Sequence, residues 1–574
     1  MAEIFEDVWT PVVEAAEAGS FDPDDPGARA AYPMPPLRAT GRLEERQFQV
    51  VVLANEWVEA RICPSLGGRL VSLSLRGGGD PLAKVGPVRL QPGGPRGLTL
   101  PLGLWFQAGA SDRLTGLAPV DVSARETDGE ASLVCFWLVP GEPLAIQVRW
   151  TLSDDDAWLT AETRVWNRSL EPAPCDPVWV LGDALQPQTG ERGTVLSESR
   201  GALALRSPGL ALAWLQAERA IVGRRFDSIL TLPPRGVDRH TLRIAPLASQ
   251  APVALGPAGC VRLADEGLFL QAFAPLSGTR VQLATRSGDT FQADMDLTGP
   301  LQTRIPPEAL PLGTERVAWL DRDGLPIAQW PPEPAPERPL PPAPSPDPRS
   351  AKALSEGDLW LAEADPAFRP AARIQLARRW LGQDDRRAAR DNLMDALNWN
   401  AEDALAWWES AALERLAGNL DDRPQLENAH FLCPCDPLLR AEAFLSQPAQ
   451  EGHGPNPLLK PFANDPESAA EAAERLIEAE QWESAAKFLD AALAWCDHGR
   501  LRLLLAWCLA SRTRMAPEAA CILQGAREWG PPFPWRPVER RALAELLASS
   551  GFVGIVQTCV PNALLRELSP APEA

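Results

Sequence analysis

Leu53-Ala54-Asn55-Glu56-Trp57-Val58-Glu59-Ala60-Arg61-Ile62-Cys63-Pro64-Ser65-Leu66-Gly67-Gly68-Arg69-Leu70-Val71-Ser72-Leu73 reads as a strand, a Pro-Gly-Gly turn and a second strand. The same texture extends outward over residues 36–330, where short alternating runs are broken by Gly, Pro and Asp clusters. Strands are expected at Phe48–Leu53, Ser132–Val139, Ala145–Leu152, Leu159–Trp166, Val178–Leu181, Leu268–Phe273 and Val281–Ala284. Many turn-bounded strands point to an all-β sandwich. A β region of this length favours a large two-sheet architecture over an immunoglobulin-like one. Residues 1–35 form an acidic, Pro-containing lead-in that adds one edge strand near Val8–Val13.

Residues 331–350 are dense in proline, which fixes φ and removes backbone donors, so they read as an extended polyproline spacer. From 351 to 570 the texture is helical, with Ala, Leu, Glu and Arg at spacings of three and four. Ala396-Leu397-Asn398-Trp399 and Ala492-Leu493-Ala494-Trp495 end similar helices, and Gly382 and Gly418 close successive ones. Such helix pairs resemble degenerate tetratricopeptide repeats, which stack because no single pair buries its own apolar face. The Pro-rich stretch 420–465 reads as irregular.

The chain has 574 residues, 45% of them hydrophobic, and a formal net charge of -21. That balance repels nucleic-acid phosphates and anionic lipid, and there is no basic stripe with interleaved aromatics. Neither nucleic acid nor membrane is expected as a partner. There is no secretory signal at Met1–Asp7 and no apolar run long enough to span a bilayer, and the ten scattered cysteines fit reduced thiols, so a cytoplasmic location is expected. Abundant Pro, Arg, Ala and Trp with little Lys fits a high-GC bacterial genome.

The opening hairpin resembles that of the aldose-epimerase-like (galactose mutarotase-like) β-supersandwich proteins. The likeness extends to Tyr32-Pro33-Met34-Pro35-Pro36 before the first strand, Ala118-Pro119-Val120-Asp121 after the first large loop, and Arg164-Val165-Trp166-Asn167-Arg168-Ser169. Together with the helical tail, the chain resembles an uncharacterised bacterial family in which such a β-supersandwich is fused to tetratricopeptide-like repeats. The resemblance implies a carbohydrate ligand on the concave face of a large sheet. Mutarotases use a His as general acid and a Glu as general base, since ring opening moves one proton off the anomeric hydroxyl and one onto the ring oxygen. Here Gly109 is followed by Ala110 where relatives carry a Gly-His pair, and Gly103 falls where an acid is expected. The one β-region histidine, His240, alternates with Leu242 and Ile244 as a strand-face residue would. Gln271 aligns where the mutarotase Glu would stand, an amide in place of a carboxylate.

The candidate ligand residues are Arg69, Trp105, Gln107, Asp112, Asp183 and Gln271. Trp105 either stacks on a sugar ring or plugs the sandwich. Arg69 either reaches a ligand or braces the hairpin. Asp112 and Asp183 form the carboxylate pair of a glycan-active enzyme, if the chain is one; Asp176 and Asp183 also suit turns beside Pro177 and Gly182. His430, Cys433, Cys435 and His453 have a ligand-like composition, but Cys-x-Cys interrupted by Pro is not usual zinc spacing, so neither metal nor cofactor is expected. These residues lead to a carbohydrate-recognition protein, non-catalytic or catalytically diverged, with a helical tail that docks a protein or peptide. The alternatives are a glycoside hydrolase or sugar epimerase, and a scaffold without a sugar ligand.

Overall fold

The computed structural model describes residues 1–18, 37–76, 87–92, 98–100, 103–108, 120–139, 142–175, 177–181, 195–199, 202–207, 210–215, 230–247, 254–256, 258–298, 301–331, 347–419, 423–447, 456–463, 465–513, 516–526, 536–549, 551–560 and 565. A β-rich N-terminal region is followed by a helical C-terminal region. One sheet has six strands in the order β1 (Glu3–Trp9), β4 (Phe48–Ala54), β5 (Val58–Cys63), β6 (Arg69–Leu75), β9 (Leu104–Gln107) and β15 (Val178–Leu181). A second has eight: β10 (Asp121–Thr127), β11 (Glu130–Leu138), β12 (Leu144–Ser153), β13 (Leu159–Asn167), β20 (Val237–Leu247), β18 (Leu210–Leu215), β17 (Ala202–Ser207) and β16 (Val195–Ser199). Two four-stranded sheets follow, β21 (Ala254–Leu255), β22 (Gly259–Ala264), β23 (Gly267–Ala272), β26 (Gln302–Ile305) and β25 (Thr290–Leu297), β24 (Leu276–Thr285), β27 (Thr314–Leu320), β28 (Pro326–Trp330). The remaining strands pair as β2 (Val12–Ala18) with β3 (Leu37–Glu45), β7 (Gln91–Pro92) with β8 (Leu98–Thr99), and β14 (Ala173–Cys175) with β19 (Leu230–Leu232). The acidic lead-in thus contributes two strands, β1 at the edge of the six-stranded sheet and β2 beside it.

Alternation sorts the side chains. Val58, Ala60 and Ile62 of the six-stranded sheet face Leu133, Cys135, Val148, Trp150, Ala161 and Leu242 of the eight-stranded sheet in one continuous core. Burial of each valine, leucine or isoleucine among them stabilises by roughly 1.5–3 kcal/mol. The opposite face of the six-stranded sheet, with Val50, Val52 and Val71, is covered by Val13, Val88 and Leu100. The Pro-Gly-Gly turn brings the sheets together. Pro64–Leu66 is a short 3-10 turn, and Gly67 and Gly68 take φ of +73° and +67°. A Cβ on Gly68 would lie 3.0 Å from that of Cys135 across the sandwich, so a side chain there would wedge the layers apart.

The helices are α1 (Pro348–Glu356), α2 (Leu359–Glu363), α3 (Arg369–Gly382), α4 (Arg386–Trp399), α5 (Ala404–Leu416), α6 (Pro424–Leu432), α7 (Pro437–Leu445), α8 (Pro466–Glu478), α9 (Trp482–Ala492), α10 (Gly499–Cys508), α11 (Ala516–Gln524), α12 (Pro537–Ala548) and α13 (Val553–Cys559). Successive helices pack as hairpins, α3 on α4, α5 on α6, α8 on α9 and α10 on α11. The described residues of 420–465 are more regular than the prolines there suggested. Pro424 and Pro437 open helices rather than breaking them, because the first helical position needs no N–H donor. Asp347, Asp436 and Asp465 each precede such a proline and cap the helix that it starts.

The helical region is packed onto the β region. Phe136, Ala145 and Trp166 of the eight-stranded sheet form a cluster with Ala404, Leu432, Cys433 and Cys435. Around it run buried ion pairs: Arg168 with Asp436 and Glu471, and Arg235 with Asp403 and Glu409. Trp166 Nε1 donates to the Glu402 carbonyl at 3.0 Å, and Asn400 Nδ2 to the Arg235 carbonyl at 2.8 Å. Burial disfavours charge on Glu409, but Arg378 and Arg235 together hold its carboxyl below the usual range.

Candidate functional site

Arg69 and Trp105 meet on the face of the six-stranded sheet that points away from the core, and Gln107 lies on the same face two residues along β9. Arg69 is fully buried, its guanidinium donates to the Leu100 carbonyl, and its Cζ stacks 3.8 Å from the Trp105 ring centre. Desolvation brings its pKa down to about 9. Trp105 is buried in this stack and Gln107 is half-buried beside it. Gln271 lies elsewhere, on β23, buried, with Nε2 donating to the Pro246 carbonyl at 3.0 Å. Asp112, Asp176 and Asp183 lie outside the described residues. Gly103, at the expected acid position, has φ +69°, and a Cβ there would sit 2.5 Å from the Leu70 carbonyl oxygen, so the backbone itself refuses a side chain.

His240 points into the sandwich, with its ring 6.0 Å from that of Phe106. Its Nε2 lies 2.8 Å from Asp238 Oδ2, without the angle of a hydrogen bond. Cys433 and Cys435 are buried at the junction of the two regions, and desolvation pushes their thiols up, Cys435 to about 12. His430 is held down by burial, and His453 lies outside the described residues. Among the described residues no three His, Cys, Asp or Glu side chains converge as metal ligands would.

The outer face of the eight-stranded sheet is organised differently. Residues directly opposite in antiparallel strands share a face, so the register defines rows across it. The row Leu138, Ala145, Trp166 and Val237 is apolar and is covered by the helices. The next row is Phe136, Gln147, Arg164 and Arg239, then Val134, Arg149, Glu162 and Thr241, then Ser132, Thr151, Thr160 and Arg243. Beyond the covered row, this face presents guanidinium, carboxylate and hydroxyl groups, with Arg239 and Glu162 exposed and Arg149, Thr151, Thr160, Arg164, Thr241 and Arg243 half-buried. Two aromatic rings stand over its cations. Arg149 Cζ lies 5.9 Å from the Phe431 ring of α6, and Arg243 Cζ lies 5.0 Å from the Trp158 ring. Glu402, from the loop before α5, pairs with Arg239 and lies 3.9 Å from Arg164. Gln147 is 1% exposed, and its Oε1 accepts no hydrogen bond among the described residues.

The sequence reading did not single out this face. Its signal is present as three alternating polar runs, Gln147-x-Arg149-x-Thr151, Thr160-x-Glu162-x-Arg164 and Arg239-x-Thr241-x-Arg243. Each alone reads as the solvated side of a strand; only the pairing of β12, β13 and β20 assembles them.

No family model matches the chain, and no curated protein matches it. Among solved structures it is similar to a TPR-domain containing protein from Parabacteroides distasonis, with 14% identity, 100% of this chain and 97% of that chain covered, and a TM-score of 0.36. It is also similar to a galactose mutarotase-like protein from Clostridium acetobutylicum, with 11% identity, 35% of this chain and 96% of that chain covered, and a TM-score of 0.23. The Slr1438 protein from Synechocystis covers the same shares at 11% identity and a TM-score of 0.24. The neighbours thus include a TPR-domain protein and a galactose mutarotase-like protein. At such TM-scores nothing about ligand or activity follows from the likeness.

Proposed function

We propose that this chain is a cytoplasmic carbohydrate-recognition protein whose ligand lies on the uncovered half of the eight-stranded sheet, beside the helical repeats. The observation that supports this reading is the polar array itself: hydroxyl and guanidinium groups in rows on one sheet face, with Trp158 and Phe431 available as stacking surfaces. Recognition without mutarotase-type chemistry is favoured because His240 faces the core rather than this array. The helical repeats serve in this reading as the dock for a protein or peptide. A thermal-shift screen of the intact chain against mono- and oligosaccharides tests it. A ligand at a hundred times its dissociation constant adds about 2.7 kcal/mol, which raises the melting temperature measurably. No rise across a broad panel rejects the carbohydrate reading.

A further inference from the structure

Arg149 and Arg243 are the anomaly of this face. Most arginines at the junction of the two regions have carboxylate partners, such as Asp403 and Glu409 for Arg235. Arg149 and Arg243 have no carboxylate within ion-pair distance among the described residues, and their Nε groups are buried and meet no acceptor there. Arg164 and Arg239 share the single carboxylate of Glu402. The other nearby acids act only at longer range. Glu130 and Glu162 favour the charge on Arg149, while Arg164 and Arg125 oppose it. Asp156 reaches Arg243 electrostatically, but its carboxyl is engaged by Ser153 and Trp158. Desolvation and Arg164 both lower the pKa of Arg149 and Arg239, the sign of cations held close together. All this occurs in a chain with 76 acidic and 55 basic residues, where acidic partners are abundant.

We propose that this face takes an acid-bearing oligosaccharide, with sugar carboxylates on Arg149 and Arg243 and sugar hydroxyls on Thr151, Thr160 and Thr241; this rests on the carbohydrate reading above and adds the ligand's charge. The guanidinium fork matches a carboxylate in a bidentate way that an ammonium does not. Arg149 and Arg243 stand two strands apart and two residues out of register, ~12 Å, so carboxylates on one oligomer engage both.

The test is calorimetric titration of the intact chain with a hexuronate tetrasaccharide, a neutral hexose tetrasaccharide and inorganic phosphate. The expected result is that the hexuronate oligomer binds at least about tenfold more tightly than the neutral one, as one good charged contact gives. The preference should shrink between about 50 mM and about 500 mM salt. Arg149→Gln with Arg243→Gln should abolish it in a chain that still folds, since the substitutions remove the contacts with Phe431 and Trp158 but no ion pair. Equal binding of both oligomers overturns the acidic specificity and leaves carbohydrate recognition standing. Binding of phosphate as tight as that of the hexuronate overturns the sugar part of the proposal. Binding of no saccharide rejects the carbohydrate reading and this inference together.

Discussion

Arg235 clasps the two regions together, and its removal has a calculable cost. Its side chain is 1% exposed; Nε and Nη2 each reach a different oxygen of Asp403 at 2.8 Å, and Nη1 reaches Glu409 at 3.3 Å. Truncation to alanine leaves both carboxylates buried, and breaking a buried pair from one side costs about 3–5 kcal/mol. The lower end applies here. Asp403 keeps the Ala406 N–H as the cap of α5, and Glu409 keeps Arg378 at 2.8 Å. Arg235 also has φ +59°, a strain that alanine inherits and glycine does not. Arg235→Gly should therefore be about 1 kcal/mol less destabilising than Arg235→Ala. Native-state hydrogen exchange reads the effect locally. At about 1.4 kcal/mol per decade, a loss of about 3 kcal/mol speeds exchange in peptides spanning 232–238 and 400–410 by about two decades. Acceleration below about fivefold in Arg235→Ala would refute the claim that this arginine holds the helices to the sheet.

Glu467 is half-buried between Arg500 and Arg536, and desolvation raises its pKa to about 7 despite them. A carboxyl bound to its proton more tightly when folded contributes stability that is full below the unfolded pKa and lost as pH rises through the folded one. Thermal stability should fall between about pH 4.5 and about pH 7 on this account. Glu467→Gln should flatten that slope, and an unchanged slope argues against it. Gly68→Ala should lower stability by about 2 kcal/mol or more, from its left-handed φ and the 3.0 Å approach to Cys135; an unaltered melting temperature contradicts that packing. Cys521 is exposed while Cys433 and Cys435 are buried with raised thiol pKa values. Cys521→Ser should remove the fastest phase of labelling by a thiol reagent in the native chain, and a fast phase that survives it contradicts this ranking.

Strand positions were legible because alternation is local. The runs at Phe48, Ser132, Ala145 and Leu159 became β4, β11, β12 and β13 within a residue or two. The hairpin at Pro64–Arg69 was legible for the same reason, as was the change to helix. Helix starts in 420–465 were missed because proline was weighed as a breaker, although Asp-Pro pairs announce a cap followed by a first helical residue. The polar face was not legible, because it depends on β13 pairing with β20 across a long stretch of chain and on which rows the helices cover. Arg69 and Trp105 were each named from the sequence with two open roles, as ligand contact or brace and as stacking ring or plug; their mutual stack, with both buried, depends on β6 pairing with β9 and was not legible.

The most direct measurement is hydroxyl-radical footprinting of the intact chain with and without the tightest saccharide from the screen. Phe431 is 60% exposed and flanks the proposed site, whereas Trp360 is 81% exposed on α2 and has no role in it. The account predicts protection of Phe431 and Trp158 with Trp360 unchanged. Protection at other aromatic residues while Phe431 and Trp158 stay fully reactive would contradict it.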